Sequence, residues 1–257
     1  MPTAGFTETF DVAELVTYAF FLFFALLVYY LRREDKREGY PLDSDRKNVR
    51  VQGWPPIPPP KSFVTAHEGP IVPYQEPRDL TGLVVPSAHF QGAPLMSVGD
   101  PMRDGVGVAS YCNRAEVPDL TFDEQLPKIV PLRVANGYYL AEEDPDPRGM
   151  QVVAADGIIC GTVKDAWVDR SETFVRYLEV VTTPELGGRT VLVPMMLVTI
   201  SEERRLIRVR SVLSHQLAAA PGIANPDQVT LREEDRISGY FASGHVYATP
   251  QRTEPFL

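Results

Sequence analysis

The chain has 257 residues, a formal net charge of −9 and only two cysteines, enough for one substantial domain with additions or for two small ones. That balance offers no basic face of the kind that holds nucleic acid, so no nucleic-acid partner is expected. Cys112 and Cys160 stand far apart without CxxC spacing, which argues against a disulfide framework or a cysteine-based zinc site and leaves two lone buried thiols.

The first 31 residues carry Glu8, Asp11 and Glu14 but no Lys or Arg, so the remainder holds 25 basic against 31 acidic residues. From Val12 to Leu31 the chain is apolar except for Glu14, Thr17 and the tyrosine hydroxyls. As a helix those residues rise about 30 Å, the thickness of a bilayer's hydrocarbon core. Tyr18 near one end and Tyr29-Tyr30 at the other suit the interfacial aromatic belts. A cleaved export signal does not fit: there is no basic leading region, the apolar run is too long, and no small-residue cleavage site follows. Arg32, Arg33, Lys36 and Arg37 crowd the second end, so the positive-inside rule puts the large C-terminal part in the cytoplasm. Phe20, Phe21, Phe23 and Phe24 make the span suited to facing lipid and packing loosely on partners.

Residues 41–101 hold 12 of the chain's 24 prolines, including WPPIPPP at 54–60. Proline fixes φ and lacks a backbone N–H, so regular helix or central strand is excluded and a polyproline-like path is expected. The interspersed Trp54, Ile57, Phe63, Val64, Ile71, Tyr74, Leu83, Val84 and Phe90 are too many for a disordered linker. The expectation is a chain ordered by lying along a partner's surface.

From about residue 130 the pattern turns to β. Gln151–Ala154 and Ile158–Val168 flank the hairpin signal Asp156-Gly157, and further strands read 176–182, 190–193, 197–200 and 206–212. Ile207 and Val209 alternate with Arg208 and Arg210, the period of a half-buried strand. Short antiparallel strands with tight turns point to a small closed or nearly closed barrel. Thr230-x-x-Glu233 is a capping box, which predicts a short C-terminal helix ending near Gly244.

No nucleophile elbow, phosphate loop, dinucleotide fingerprint or HExxH is present, so an enzyme is not expected. His67, His89, His215 and His245 are scattered without ligand spacing, and no metal site is expected. One cluster stands out in WVDRSETFVRYLE at 167–179. If a helical turn interrupts the strands there, Asp169, Glu172 and Arg176 share a face. Two carboxylates beside an arginine feel opposing pulls on their pKa and can pass protons if partly buried. On these residues alone, a solvated turn with an ordinary ion pair is the simpler reading.

Taken together, YYLRREDKREGYPL (29–42), GDPMRDGVGVASY (99–111), KIVPLRVA (128–135), WVDRSE (167–172) and TLREEDRISGYF…YATP (230–250) resemble the H subunit of the purple-bacterial photosynthetic reaction centre. The resemblance implies a single N-terminal transmembrane α-helix plus a mainly β cytoplasmic domain, a small antiparallel PRC-type barrel, with a short C-terminal helix. The organisation expected is a periplasmic N-terminus at 1–11, a transmembrane helix at 12–31, an extended proline-rich segment at 32–105, and a cytoplasmic domain at 106–257 with its barrel core at about 130–215. The membrane is then the photosynthetic inner membrane.

The resemblance also implies a role without catalysis: capping the cytoplasmic face of the light and medium subunits, stabilising the complex and helping protons reach the secondary quinone. No cofactor is then bound directly; bacteriochlorophyll, bacteriopheophytin, quinones and non-haem iron belong to the partner subunits. Membrane lipid, a cytochrome subunit and the light-harvesting antenna are further partners it allows. Carried over by motif, Asp169, Glu172 and Arg176 become proton-path residues, because a buried quinone must import protons through ionisable groups. Some members place a His-x-His pair before the lysine of KI; here 122–128 reads FDEQLPK, which leaves Asp119, Asp123 and Glu124 to collect protons. The alternative is a membrane-tethered PRC-barrel adaptor for some other protein.

Overall fold

The computed structural model describes residues 11–44, 49–67, 69–72, 77–90 and 92–253. Of the N-terminal segment expected at 1–11, all but Asp11 lie outside the described residues, as does Tyr74. The chain forms two compact units, Met1–Tyr74 with Ala88–Ala93, and Gln75–Ser87 with Pro94–Leu257.

In the first unit, helix α1 spans Val12–Asp35. Asp11 caps it by accepting from the Ala13 N–H at 2.9 Å. Glu14 accepts from the Tyr18 hydroxyl one turn later, at 2.5 Å, so its polar end has a partner near the start of the apolar run. None of its residues is buried, as suits a helix with lipid as its solvent. The helix continues four residues beyond Leu31, because Arg32 and Arg33 complement the dipole at its end and Arg32 pairs with Asp35 at 3.8 Å.

Beyond it the proline-rich stretch is tied down by side chains. Lys36, 2 % exposed, donates to the carbonyls of Gln52 (2.7 Å) and Pro55 (2.6 Å) and lies over the Tyr40 ring. Arg37 donates to the Pro59 carbonyl at 2.6 Å, Lys61 pairs with Glu34 at 2.9 Å, and Trp54 packs on Tyr29. Proline supplies acceptors without donors, and the basic residues after the span fill that imbalance. The stretch is not continuously extended: β1 (Leu42–Asp43) pairs with β2 (Arg50–Val51), and β3 (Phe63–Thr65) with β4 (Gly69–Ile71), both antiparallel.

The second unit opens with the hairpin β5 (Val84–Pro86) and β6 (Leu95–Ser97) and the short helix α2 (Pro101–Asp104). Its main sheet comprises β7 (Ile129–Pro131), β8 (Gln151–Val153), β9 (Ile159–Asp169), β10 (Phe174–Thr182), β11 (Thr190–Pro194), β12 (Val198–Ser201) and β13 (Leu206–Val209). The order is β11-β10-β9-β8-β13-β12 with β7 added to β9, antiparallel except for the parallel pair β8–β13. This is a mainly β domain in which, among the described residues, the outer edges of the end strands β11 and β12 carry no further strand, so the barrel is not closed by a ladder. Pro194 has no N–H to donate and leads into the 3-10 turn Met195–Leu197, which carries the chain away from β11 before β12 begins.

Trp167, Leu178, Leu192, Ile207 and Val209 from the sheet meet Leu217 of α3 (Ser214–Ala218) and Ile237, Tyr240 and Phe241 of α4 (Leu231–Tyr247) in one core. The Thr230–Glu233 capping box forms as predicted, but α4 runs three residues past Gly244. That glycine is a packing position, not a terminator: any Cβ there would strike the Ser211 carbonyl. A second buried feature was not foreseen. Glu179 accepts from Lys164 (2.7 Å), Arg133 (2.5 Å) and the Trp167 indole (3.0 Å). Burial raises the Glu179 pKa, but those donors outweigh it and hold the carboxyl below its ordinary range. Of the two thiols expected to be buried, Cys160 is; Cys112 is exposed, in a loop without regular structure.

Candidate functional site

Asp169 is the last residue of β9, and its side chain organises the turn into β10. Its Oδ1 accepts from the N–H groups of Ser171 (2.9 Å) and Glu172 (3.1 Å), while its carbonyl accepts from Thr173 N–H. Oδ2 remains for cations: Arg176 Nε and Nη2 both reach it at 3.2 Å, and Lys128 Nζ stands at 3.7 Å. Asp169 is wholly buried.

The Thr173 N–H to Asp169 carbonyl bond spans four residues, so the link between the strands is a single α-turn not continued into a helix, and a second device brings the charges together. Val175 pairs with Val168 and Tyr177 with Trp167, so Arg176 is the extra residue of a β-bulge. A bulge bends its strand and re-aims one side chain. Arg176 thereby reaches back to Asp169 and also to Glu172 at 3.4 Å, with Glu172 itself exposed.

The 119–128 loop supplies the next layer. Lys128 N–H donates to the Asp119 carbonyl at 2.7 Å, and Lys128 Nζ bridges Asp119 and Asp169, 3.7 Å from each. Asp123 and Glu124 sit at the exposed tip of that loop and make no ion pair among the described residues. Of the six predicted residues, the structure thus joins Asp169, Glu172, Arg176 and, through Lys128, Asp119. Asp123 and Glu124 stay outside the cluster.

A seventh group, Glu234, comes from the first turn of α4. That turn is pinned to the 114–118 segment by an Arg114–Asp235 ion pair at 3.1 Å, Arg232 on Glu116 at 2.6 Å, and a bridge between Thr230 and Pro118. Burial pushes the Glu234 pKa up to about 7; Arg114 and Arg176 pull it down, and Asp119 and Asp235 push it up. The Tyr177 hydroxyl beside it is raised too, first by its own burial. As the second of two acids in the first turn of the helix, Glu234 reads as a helix-dipole residue. The available signal was spacing: Glu234, Ile237, Phe241 and Gly244 follow i, i+3, i+7, i+10, the stripe α4 turns to the core. Among the described residues no group of three His, Cys, Asp or Glu side chains is placed to hold a metal ion.

Two family models match the chain: the photosynthetic reaction centre H-chain N-terminal region over residues 4–134, and the PRC-barrel domain over 141–215. The chain belongs to the photosynthetic reaction centre H-chain family. It is a membrane protein, with one transmembrane helix among the described residues, and it associates with other reaction centre subunits as the non-pigment-binding, structural member. Within this H chain, Asp119, Asp123, Glu124 and Lys128 lie in the N-terminal match and Asp169, Glu172 and Arg176 in the barrel match. Glu234 falls in neither.

Proposed function

We propose that this H chain caps the cytoplasmic face of the light and medium subunits, stabilises the complex, and passes protons toward the secondary quinone that those subunits hold. The basic cluster at 32–37 favours a cytoplasmic second unit and a periplasmic N-terminus. Contact with partners is supported by apolar side chains that find little cover among the described residues, including Trp54 (78 % exposed) and Val64 (87 %) in the first unit and Met196 (87 %) in the second. Lipid, a cytochrome subunit and antenna are further neighbours this surface can take.

The proton role rests on one observation above all: a carboxylate near neutrality, Glu234, feels Asp119 and Arg176, which are in turn joined to buried Asp169. A group half protonated near pH 7 can both accept and release a proton within one turnover. Asp123 and Glu124 lie at the solvent end as collectors, and Asp169, Glu172 and Arg176 form the inner part of the route. The test is flash-induced absorption on the assembled complex. Glu172→Gln and Glu234→Gln should each slow the proton-coupled transfer of the second electron to the secondary quinone, with primary charge separation unchanged. Unaltered second-electron kinetics in both variants would remove this cluster from the route. Recovery of the chain from membranes without bacteriochlorophyll-bearing partners would overturn the capping role.

A further inference from the structure

Residues 204–210 read RRLIRVR, four arginines in seven residues with no acid, in a chain whose net charge is −9. Strand β13 forms the middle of this run, burying Ile207 and Val209 and leaving Arg208 exposed, with Arg210 exposed just past its end. Because β13 pairs in parallel with β8, with Arg208 opposite Val153, the two arginines stand beside the Asp156-Gly157 turn that follows β8.

A third guanidinium joins them from the 3-10 turn Pro250–Arg252. Arg252 Nη1 donates to the carbonyls of Ser211 (2.7 Å) and Gly244 (2.8 Å), and Nη2 to that of Arg210 (3.1 Å). Neutral carbonyls therefore fix its position, and among the described residues no carboxylate pairs with it. Arg208, Arg210 and Arg252 line a concavity of about 380 Å³ whose remaining walls are Ala154, Ala155 and Gly157. Among the described residues no carboxylate lines it, and neither Arg208 nor Arg210 forms an ion pair. The acid next in sequence is occupied: Asp156 Oδ2 accepts from Ser214 N–H (3.0 Å) and hydroxyl (2.7 Å), and Oδ1 from Ile158 N–H (3.3 Å).

Like charges gathered around one hollow repel, and an anion between them removes that repulsion. Guanidinium forks match the oxygen geometry of phosphate better than that of a spherical ion, and an immobilised fork loses less freedom on binding. The hollow is at the small end of ligand sites, and its alanine and glycine walls leave the arginine tips as its only strong recognition groups. We propose that this concavity binds a phosphate group, the chemistry shared by soluble phosphorylated small molecules and by anionic phospholipid headgroups.

The test uses the assembled reaction centre containing the full chain, in nanodiscs of uncharged lipid, titrated calorimetrically with inorganic pyrophosphate. Saturable binding that weakens with added salt is expected. The Arg208→Gln/Arg210→Gln double variant should weaken it at least tenfold; both side chains are exposed and bond to nothing else described, so the fold should melt unchanged. Arg252→Lys keeps the charge, loses the fork, and should also bind more weakly than wild type. Repeating the titration in discs containing phosphatidylglycerol separates the sources. Loss of pyrophosphate binding there supports a headgroup occupant, and unchanged binding supports a soluble one. No saturable binding in uncharged discs, or equal affinity in the double variant, overturns the site.

Discussion

Replacing Glu234 with Gln tests whether α4 carries a carboxylate at the cost of stability. Burial raises the carboxyl from its ordinary 4.5 to about 7. Because the folded-state value exceeds the unfolded one, the folded chain holds this proton more tightly than the unfolded chain does. The associated stability is fully present below about pH 4.5 and is lost as pH rises through 7. At about 1.4 kcal/mol for each pH unit, the whole shift has a ceiling of about 3 kcal/mol. The side chain is only partly buried, and solvent screening reduces this to about 1–2 kcal/mol. Glutamine keeps the shape and stays neutral, so it removes the penalty at high pH only. Thermal unfolding of the purified full chain should find the variant close to wild type at pH 5 and more stable at pH 8, by about 2–6 °C. An equal difference at both pH values, or a variant that melts lower at pH 8, would refute the assignment of a buried, proton-holding carboxylate.

Two further outcomes follow from the core. Glu179→Gln leaves Arg133 and Lys164 facing a neutral group and should destabilise the domain by about 3 kcal/mol at pH 7. Since the Glu179 carboxyl is held low in the folded chain, that advantage exists above its unfolded pKa and fades in acid; chemical denaturation at pH 7 and pH 3 should show the gap between variant and wild type closing. Gly244→Ala drives a Cβ into the backbone carbonyl of Ser211 and should cost about 2–3 kcal/mol despite alanine's better helix propensity; a gain in melting temperature would contradict the close approach.

Five of the six strands read between 151 and 212 were legible to within two residues because alternation and turn residues agreed, as at Asp156-Gly157; the sixth ends at Val209, three residues short of the expected 212, and the short strands before residue 132 were not read. The capping box of α4 was equally plain, since both its bonds are local in sequence. Features that depend on what lies across the chain were not. Gly244 looks like a helix terminator until the Ser211 carbonyl is placed beside it. That β11 and β12 do not pair depends on where the 3-10 turn Met195–Leu197 carries the chain, which no local pattern reveals. Asp169, Glu172 and Arg176 do meet, but through a bulge that no spacing rule for helices describes, and Lys128 arrives from 41 residues earlier to join Asp119 to them. Glu234 was visible only as an acid in a first turn; its importance lies in sharing the stripe with Ile237 and Phe241.

The lysine and arginine that follow the membrane helix hold carbonyls of a chain segment in which seven residues include five prolines. Such carbonyls have few neighbouring N–H groups to zip with, so no alternative register competes for them. The stretch that leaves the bilayer therefore gains a unique path without a hydrophobic core of its own. Its order comes from a mismatch in donors and acceptors that only the adjoining basic turn can resolve.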